Sequence, residues 1–368
     1  MSTRTYSIPS RSERPDRSER PDRTGRRERI EHRRSFDCFG GRCTVIVADA
    51  DRPADAAAAA AMAERALLAW HHRFSRFQED SELSRLNRRS GAEVAVTPLM
   101  RRIIEVAIRA ARDTGGLVDA TLATEIERAG YASHLEGDGI PLGVALALAP
   151  PRAPASPHPA ARWAQISVDR ERGTVTRPPG TRIDPGGIAK GVFADELAGL
   201  LEGFDAYALD CCGDLRVGGR AGLARDIVVA GPFDSEPLHT FSRRAGAAAT
   251  SGIGRRSWLV DGGLPAHHLL DPGRGTPAFT GIVQATALAP TAARAEVLAK
   301  AAILSGPGRA AEWLTDGGVI VFDDGAYEVL EPAAARPAVE LRTDSQPHIS
   351  SSTASRSGSL RISWKRPA

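Results

Sequence analysis

Ile183-Asp-Pro-Gly-Gly-Ile-Ala-Lys-Gly191, continued by Val192-Phe-Ala-Asp195, reads as a glycine-rich turn running straight into a helix. Paired glycines let a backbone approach a ligand closely. The first turn of a helix offers free N–H groups and the positive end of its dipole, which suits an anion. Lys190 adds a point charge, and the combination suits a diphosphate. Taken alone, the segment is equally a glycine turn before an ordinary helix. Outward from it, short strands are expected near 164–168 and 173–176 on one side, and near 206–209, 214–217, 226–230 and 281–288 on the other. Helices are expected at 189–202, 292–305 and 308–315. Nearer the N-terminus, Cys43–Asp49 reads as a strand, and Ala54–Phe74 and Pro98–Thr114 as helices; a Pro/Ala loop spans about 149–161. Val319–Phe322 and Tyr327–Leu330 form a hairpin turning on Asp323-Asp-Gly325. Strands and helices do not alternate regularly, so the expected class is α+β rather than a doubly wound parallel sheet.

The chain has 368 residues, 42% of them hydrophobic, enough for a sizeable core, and its 36 glycines and 25 prolines imply many turns. A net charge of +3 gives no support to nucleic-acid binding. The only lysines are Lys190, Lys300 and Lys365 among 48 Lys plus Arg, so the two within chemically suggestive segments stand out. The four cysteines, Cys38, Cys43, Cys211 and Cys212, form no CxxC pair and read as buried free thiols of a reducing compartment. No stretch approaches the ~20 apolar residues of a membrane span. Neither Arg26-Arg27 nor Arg33-Arg34 precedes an apolar signal region, and a cytoplasmic location is expected. Residues 1–34, which repeat Arg-Ser-Glu-Arg-Pro-Asp at 11–16 and 17–22, are too polar to offset ordering entropy. Residues 336–368 are rich in Ser, Arg and Pro. Both are expected to be disordered tails around one domain, 35–335.

Six further segments carry chemistry. Phe74-Ser-Arg-Phe77 with Asp80-Ser-Glu-Leu-Ser-Arg-Leu-Asn87 ends one helix and caps the next through Asp80 or Ser81. Thr114-Gly-Gly-Leu-Val-Asp-Ala-Thr121 is a tight turn with an acid. Leu209-Asp-Cys-Cys-Gly-Asp-Leu-Arg216 is a strand with a polar break. Ala249-Thr-Ser-Gly252 places two hydroxyls before a glycine. His267-His-Leu-Leu-Asp-Pro272 sets two imidazoles and a carboxylate at a strand end. Ala289-Pro-Thr-Ala-Ala-Arg-Ala-Glu-Val-Leu-Ala-Lys300 is a strand-to-helix junction with Glu296 and Lys300 at i,i+4.

These seven segments, in their order along the chain, resemble the FAD:protein FMN transferases, the ApbE family, from about Phe39 to Leu330. The resemblance implies a single α+β, T-fold-like catalytic domain that binds FAD in a groove with magnesium on the diphosphate. It implies transfer of the FMN moiety to a threonine hydroxyl in the flavinylation motif of an acceptor protein, with release of AMP. By the same resemblance, Phe77 stacks on the flavin, and Leu117, Val118, Asp119, Gly186, Val192 and Leu270 contact the cofactor; Lys190 and Lys300, read from their own charge and not from the resemblance, are expected on the cofactor as well. His268 is the base, His267 pointing the other way if the segment is a strand. The Ala189 carbonyl and Glu296 are the metal ligands. Two departures accompany it. Cys212 stands where the family usually has glycine. Glu296 and Lys300 stand where it usually has aspartate and a hydroxyl residue, and a protonated lysine cannot ligate a metal. Either Glu296 still binds magnesium with Lys300 swung aside, or Lys300 itself neutralises the diphosphate; a plain helix pair, worth ~0.2–0.5 kcal/mol, is the third reading. The competing functions are a hydrolase giving FMN and AMP from FAD, and a non-catalytic flavin-binding protein.

Overall fold

Alternation along a strand sends Val45 and Val47 to one side and Ile46 to the other, and both sides are buried. The strand carrying them, Gly41–Ala48 (β2), is hairpinned to Glu31–Cys38 (β1). Their turn is Phe39-Gly40, with φ of 55° and 75°, the left-handed pair whose twist matches that of the strands. The structure is a computed structural model describing residues 29–133, 139–260, 262–332 and 361–363. After β2 the main sheet takes up Ala206–Cys211 (β3), Asp214–Gly218 (β4), Gly246–Gly252 (β5), Ile282–Ala289 (β6), Gly318–Phe322 (β7) and Tyr327–Leu330 (β8). Spatial order follows chain order, and every pairing is antiparallel. The register aligns Ile46 with Ala208 and Ala208 with Val217, so these three form a small apolar row on one face. Val45, Val47, Leu209 and Leu215 join the large core on the other.

Four helices fill that core: Pro53–Phe74 (α1), Pro98–Asp113 (α2), Ala189–Leu201 (α3) and Ala292–Ser305 (α4). Ala56, Ala60, Ala63 and Leu67 recur at helical spacing along the buried face of α1. In α2, Thr97 accepts from the Met100 N–H as N-cap and Pro98 opens the helix. Thr291 caps α4, and Gly306 follows its last residue with φ of 74°. Where α3 crosses α4, a Cβ on Gly191 would lie 2.6 Å from the backbone N and Cα of Ala293. Only glycine allows the two helices this approach.

The mixed α+β class is thus as expected, with these differences. The strand expected near 164–168 is a 3₁₀ turn, Arg162–Gln165, leading to Ser167–Asp169; this pairs with Thr174–Thr176, which pairs in turn with Glu93–Ala95. Gly246–Gly252 is a central strand. The strand Arg225–Ala230 belongs to a separate sheet with Pro237–Arg243. β1 begins within the expected N-terminal tail. Of the expected C-terminal tail, Arg361–Ser363 is described and its backbone pairs with Arg225–Ala230. The remainder of both tails lies outside the described residues. Among those described, no helix is long and apolar enough to cross a membrane.

Candidate active site

Asn87 clamps the start of the glycine turn: its side-chain amide donates to the Ile183 carbonyl and accepts from the Ile183 N–H, both at 2.8 Å. Ser81 caps the helix that carries Asn87, accepting from the Ser84 N–H at 2.9 Å. The buried Arg177 guanidinium ties that helix to the turn, donating to the carbonyls of Leu86, Arg89 and Thr181. Asp184 then folds the turn, its Oδ1 accepting from the Gly186 N–H at 2.9 Å and its Oδ2 pairing with Arg76 at 3.1 Å. Gly186, Gly187 and Ala189 so placed line a cavity of about 400 Å³. Phe77, Leu117, Val118, Asp119, Lys190, His268, Leu270, Glu296 and Lys300 line it too. Val192 does not: it is buried in the core, while Phe193, one helical turn after Ala189, reaches the cavity.

Four charges meet beneath the turn. Lys190 Nζ bonds Asp214 and, at 2.9 Å, Glu296 Oε1. Lys300 Nζ bonds the same Oε1 at 3.1 Å. The other oxygen of Glu296 accepts from the Gly191 N–H at 3.0 Å. An N–H of the first helical turn, expected to face a ligand, is therefore taken by a carboxylate. Burial alone would discharge Lys190, but Asp214 and Glu296 outweigh it and hold its pKa above that of free lysine. Burial would raise Glu296; the two ammonium groups outweigh it and bring it to about 2. For Asp214, burial and then repulsion by Glu296 win, and its pKa rises to about 7. Lys300, with one carboxylate contact against Lys190's two, is lowered by burial. Its stem passes Gly187, where a Cβ would meet Lys300 Cε at 3.0 Å.

Part of the lining is aromatic. The Arg76 guanidinium lies 4.2 Å from the Phe77 ring centroid and 4.5 Å from that of Tyr131. Asp119 Oδ1 accepts from both the N–H and the hydroxyl of Thr121 at 2.7 Å, but its buried Oδ2 has no hydrogen-bond partner within the protein. Burial raises its pKa. His267 and His268 follow one another and diverge. His267 is buried against Phe279, its Nδ1 accepting from the Leu269 N–H at 3.2 Å. His268 lies in the bend after Leu264–His267, half-buried on the cavity, with no partner for Nδ1. Burial first, then the cations of Arg256, His267 when charged, and Lys300, push it well below a free imidazole, so it is neutral at pH 7.

The donor set does not suit the divalent ion expected on Ala189 and Glu296. Glu296 Oε1 already takes two ammonium donors and Oε2 a backbone donor. A divalent ion about 4 Å from the Lys300 ammonium would be repelled by about 8 kcal/mol at an effective dielectric of ~20. Among the described residues no group of three His, Cys, Asp or Glu could hold a metal ion. Asp214, Arg76 and Tyr131 are among the site residues that sequence reading did not single out. Asp214 was visible only as part of the polar break in Leu209–Arg216.

The ApbE family profile matches residues 39–322. The chain belongs to the ApbE family. Similar curated proteins include the FAD:protein FMN transferase of Vibrio cholerae serotype O1, 26% identical over 256 residues, which covers 67% of this chain and 73% of that one. That of Treponema pallidum is 28% identical over 249 residues, 62% of this chain and 66% of that one. Among solved structures, the ApbE protein from Thermotoga maritima superposes with a TM-score of 0.66 at 24% identity, over 83% of this chain and 97% of the other. The flavin transferase ApbE from Vibrio cholerae gives 0.64 at 20%, over 83% and 98%. These structures share the single-domain ApbE fold.

Proposed function

We propose that the groove binds FAD and that the protein transfers its FMN half to a threonine hydroxyl of an acceptor protein, releasing AMP. The observation that carries this is the meeting, in the lining of one cavity, of the glycine turn, Lys300 and a His268 whose Nδ1 is unpartnered. The FAD:protein FMN transferase names of the curated relatives support it. The diphosphate lies along Gly186 and Gly187, with Lys300 in the place of a divalent ion; Lys190 stays committed to its two carboxylates. Phe77, Leu117, Val118 and Leu270 receive the flavin end, and the free Asp119 oxygen accepts a ligand donor. The acceptor hydroxyl oxygen attacks the FMN phosphorus. Its proton passes to neutral His268, the bond from that phosphorus to the bridging oxygen breaks, and AMP leaves with the electron pair. Negative charge on the bound diphosphate raises the basicity of His268 as the ligand settles.

The test is intact-mass analysis of a candidate acceptor after incubation with enzyme and FAD, with EDTA or magnesium. The expected result is a mass gain of one FMN on the acceptor and one AMP released. With His268→Asn, transfer is lost and FAD binding is kept. AMP without a labelled acceptor would make the protein a FAD pyrophosphatase, and binding without AMP a flavin-binding protein. Either result overturns the proposal.

A further inference from the structure

All four cysteines of the chain gather where two hairpins meet the groove. Cys38 ends β1, Cys43 lies in β2, and Cys43 is directly opposite Cys211 of β3. Cys212 and Gly213 then form the two-residue turn into β4, with φ of 58° and 93°. Such a turn asks for Asn or Gly first, because a left-handed L-residue costs about 1–2 kcal/mol. A cysteine kept there is an outlier to be explained. Its Sγ lies 3.6 Å from Cys43 Sγ and donates to the Cys38 carbonyl at 3.1 Å. It also reaches the cavity wall, whereas Cys43 and Cys211 are fully buried.

From this geometry we infer that Cys212 and Cys43 are a peroxide-oxidised thiol pair that closes to a disulfide at the wall of the groove. Cys212, open to the cavity, attacks a hydroperoxide; the O–O bond breaks, an alcohol or water leaves, and Cys212 becomes a sulfenic acid. The Cys43 thiol then attacks that sulfur, losing its proton as water leaves, and the S–S bond forms. The electrostatics divide the roles the same way. The hydrogen bond from Cys43 lowers the Cys212 pKa against the opposing effect of burial, with Lys190 helping. Hydrogen bonds with its cysteine neighbours, then burial, raise that of Cys43. Low-pKa, accessible thiols beside a resolving thiol are the ones that oxidise reversibly.

Closing the bond brings the sulfurs from 3.6 Å to about 2.05 Å. That draws Cys212 off the Cys38 carbonyl and shifts the turn that leads into Asp214, the partner of Lys190. Oxidation therefore weakens FAD binding, on the order of fivefold or more; this consequence rests on the proposed FAD site, whereas the disulfide itself does not.

The experiment treats the reduced full chain with stoichiometric hydrogen peroxide, counts thiols after denaturation, and maps the crosslink by peptide mass. The expected result is a fall from four thiols to two with Cys43 joined to Cys212, reversed by dithiothreitol. Cys212→Gly, which relieves the left-handed strain and so folds, keeps its remaining thiols under the same treatment. Cys43→Ala gives a sulfenic acid on Cys212 that dimedone traps. Retention of all four thiols, a Cys43–Cys211 link, or oxidation of Cys212→Gly at the wild-type rate overturns the pairing. Titration of reduced and oxidised protein with FAD tests the consequence. Equal affinities overturn the link to the groove, while a reduced protein that binds no FAD refutes the FAD site and leaves the disulfide result standing.

Discussion

Lys190 and Lys300 share one carboxylate oxygen yet are predicted to fail in opposite ways when each is replaced by methionine. Lys190 is the ion-pair partner of Asp214 and also bonds Glu296. Removing it leaves Asp214, only 2% exposed, without its cation. Breaking a buried pair in this way costs about 3–5 kcal/mol. The cost falls at the low end, because Asp214, with its pKa already raised to about 7, takes up a proton. Removing Lys300 leaves Glu296 bonded to Lys190 at 2.9 Å and to the Gly191 N–H at 3.0 Å. One charge-assisted bond worth about 1.5–3 kcal/mol is lost, partly offset by burying a methionine stem of similar length, for a net cost of roughly 1 kcal/mol. The two variants should thus differ by about 2 kcal/mol, or ~0.7 M in urea midpoint at a slope of ~3 kcal/mol/M. Binding should rank the other way. If Lys300 meets the diphosphate, Lys300→Met weakens FAD about 10–100-fold, the value of one charged hydrogen bond. Lys190→Met at temperatures where it is folded changes it less. Urea titration by tryptophan fluorescence and FAD titration by flavin anisotropy read the two rankings. A Lys300→Met protein that binds FAD as tightly as the wild type, or is the less stable of the two, refutes the division of labour between the lysines.

Further outcomes follow from the same geometry. Gly191→Ala gains up to ~1 kcal/mol of helix propensity but drives a methyl to 2.6 Å from the Ala293 backbone, an overpacking cost of about 1–3 kcal/mol. The net is a lower urea midpoint, whereas Gly199→Ala on the same helix, with nothing within 4 Å of its Cβ, raises it. Phe77→Ala removes the ring beneath Arg76 and weakens flavin binding by about 1–3 kcal/mol, measured by anisotropy. Burial lowers His267 to about 3, so between pH ~6.5 and 3 the unfolded chain binds a proton that the folded chain does not. Stability therefore falls as pH drops through that window, by up to about 1.4 kcal/mol per pH unit. His267→Asn, whose side-chain oxygen can still accept from the Leu269 N–H, should flatten that slope in pH-dependent urea titrations.

Strands with β-branched runs, such as Cys43–Asp49 and Val319–Phe322, were legible because alternation and turn chemistry agree there. Two sheet members were not. β1, Glu-His-Arg-Arg-Ser-Phe-Asp-Cys, is an edge strand whose charges discourage further pairing, and those charges make it read as tail. β5, Gly-Ala-Ala-Ala-Thr-Ser-Gly, has little intrinsic strand preference. It is a strand because its small side chains let α4 sit against it while both edges pair. In the site, Lys190, Glu296 and Lys300 could be found from spacing and scarcity. Asp214 could not, because its pairing with Lys190 joins the start of α3 to a turn in the sheet that no local pattern connects. Val192, expected on the cofactor, lies on the core side of α3, and the local sequence does not show which side of the helix start faces the groove.

Gly187 tests whether the turn and Lys300 work as one unit. In Gly187→Ala the new Cβ would stand 3.0 Å from Lys300 Cε, 3.5 Å from Cδ and 3.9 Å from Nζ. The obstructed atoms are the far end of a flexible side chain, so the stem can yield by a few tenths of an ångström. The stability cost should accordingly stay within about 1 kcal/mol, since no backbone must move. The ammonium, however, moves relative to Glu296, whose bond to it is 3.1 Å, and relative to the diphosphate cradle. FAD binding should weaken by on the order of tenfold, about 1.4 kcal/mol, without a matching loss in urea midpoint. The double variant Gly187→Ala with Lys300→Met should bind no worse than Lys300→Met alone, because the methyl acts through that lysine. Additive losses in the double variant would mean that the methyl blocks the ligand directly, and that Gly187 serves the cradle rather than the cation beneath it.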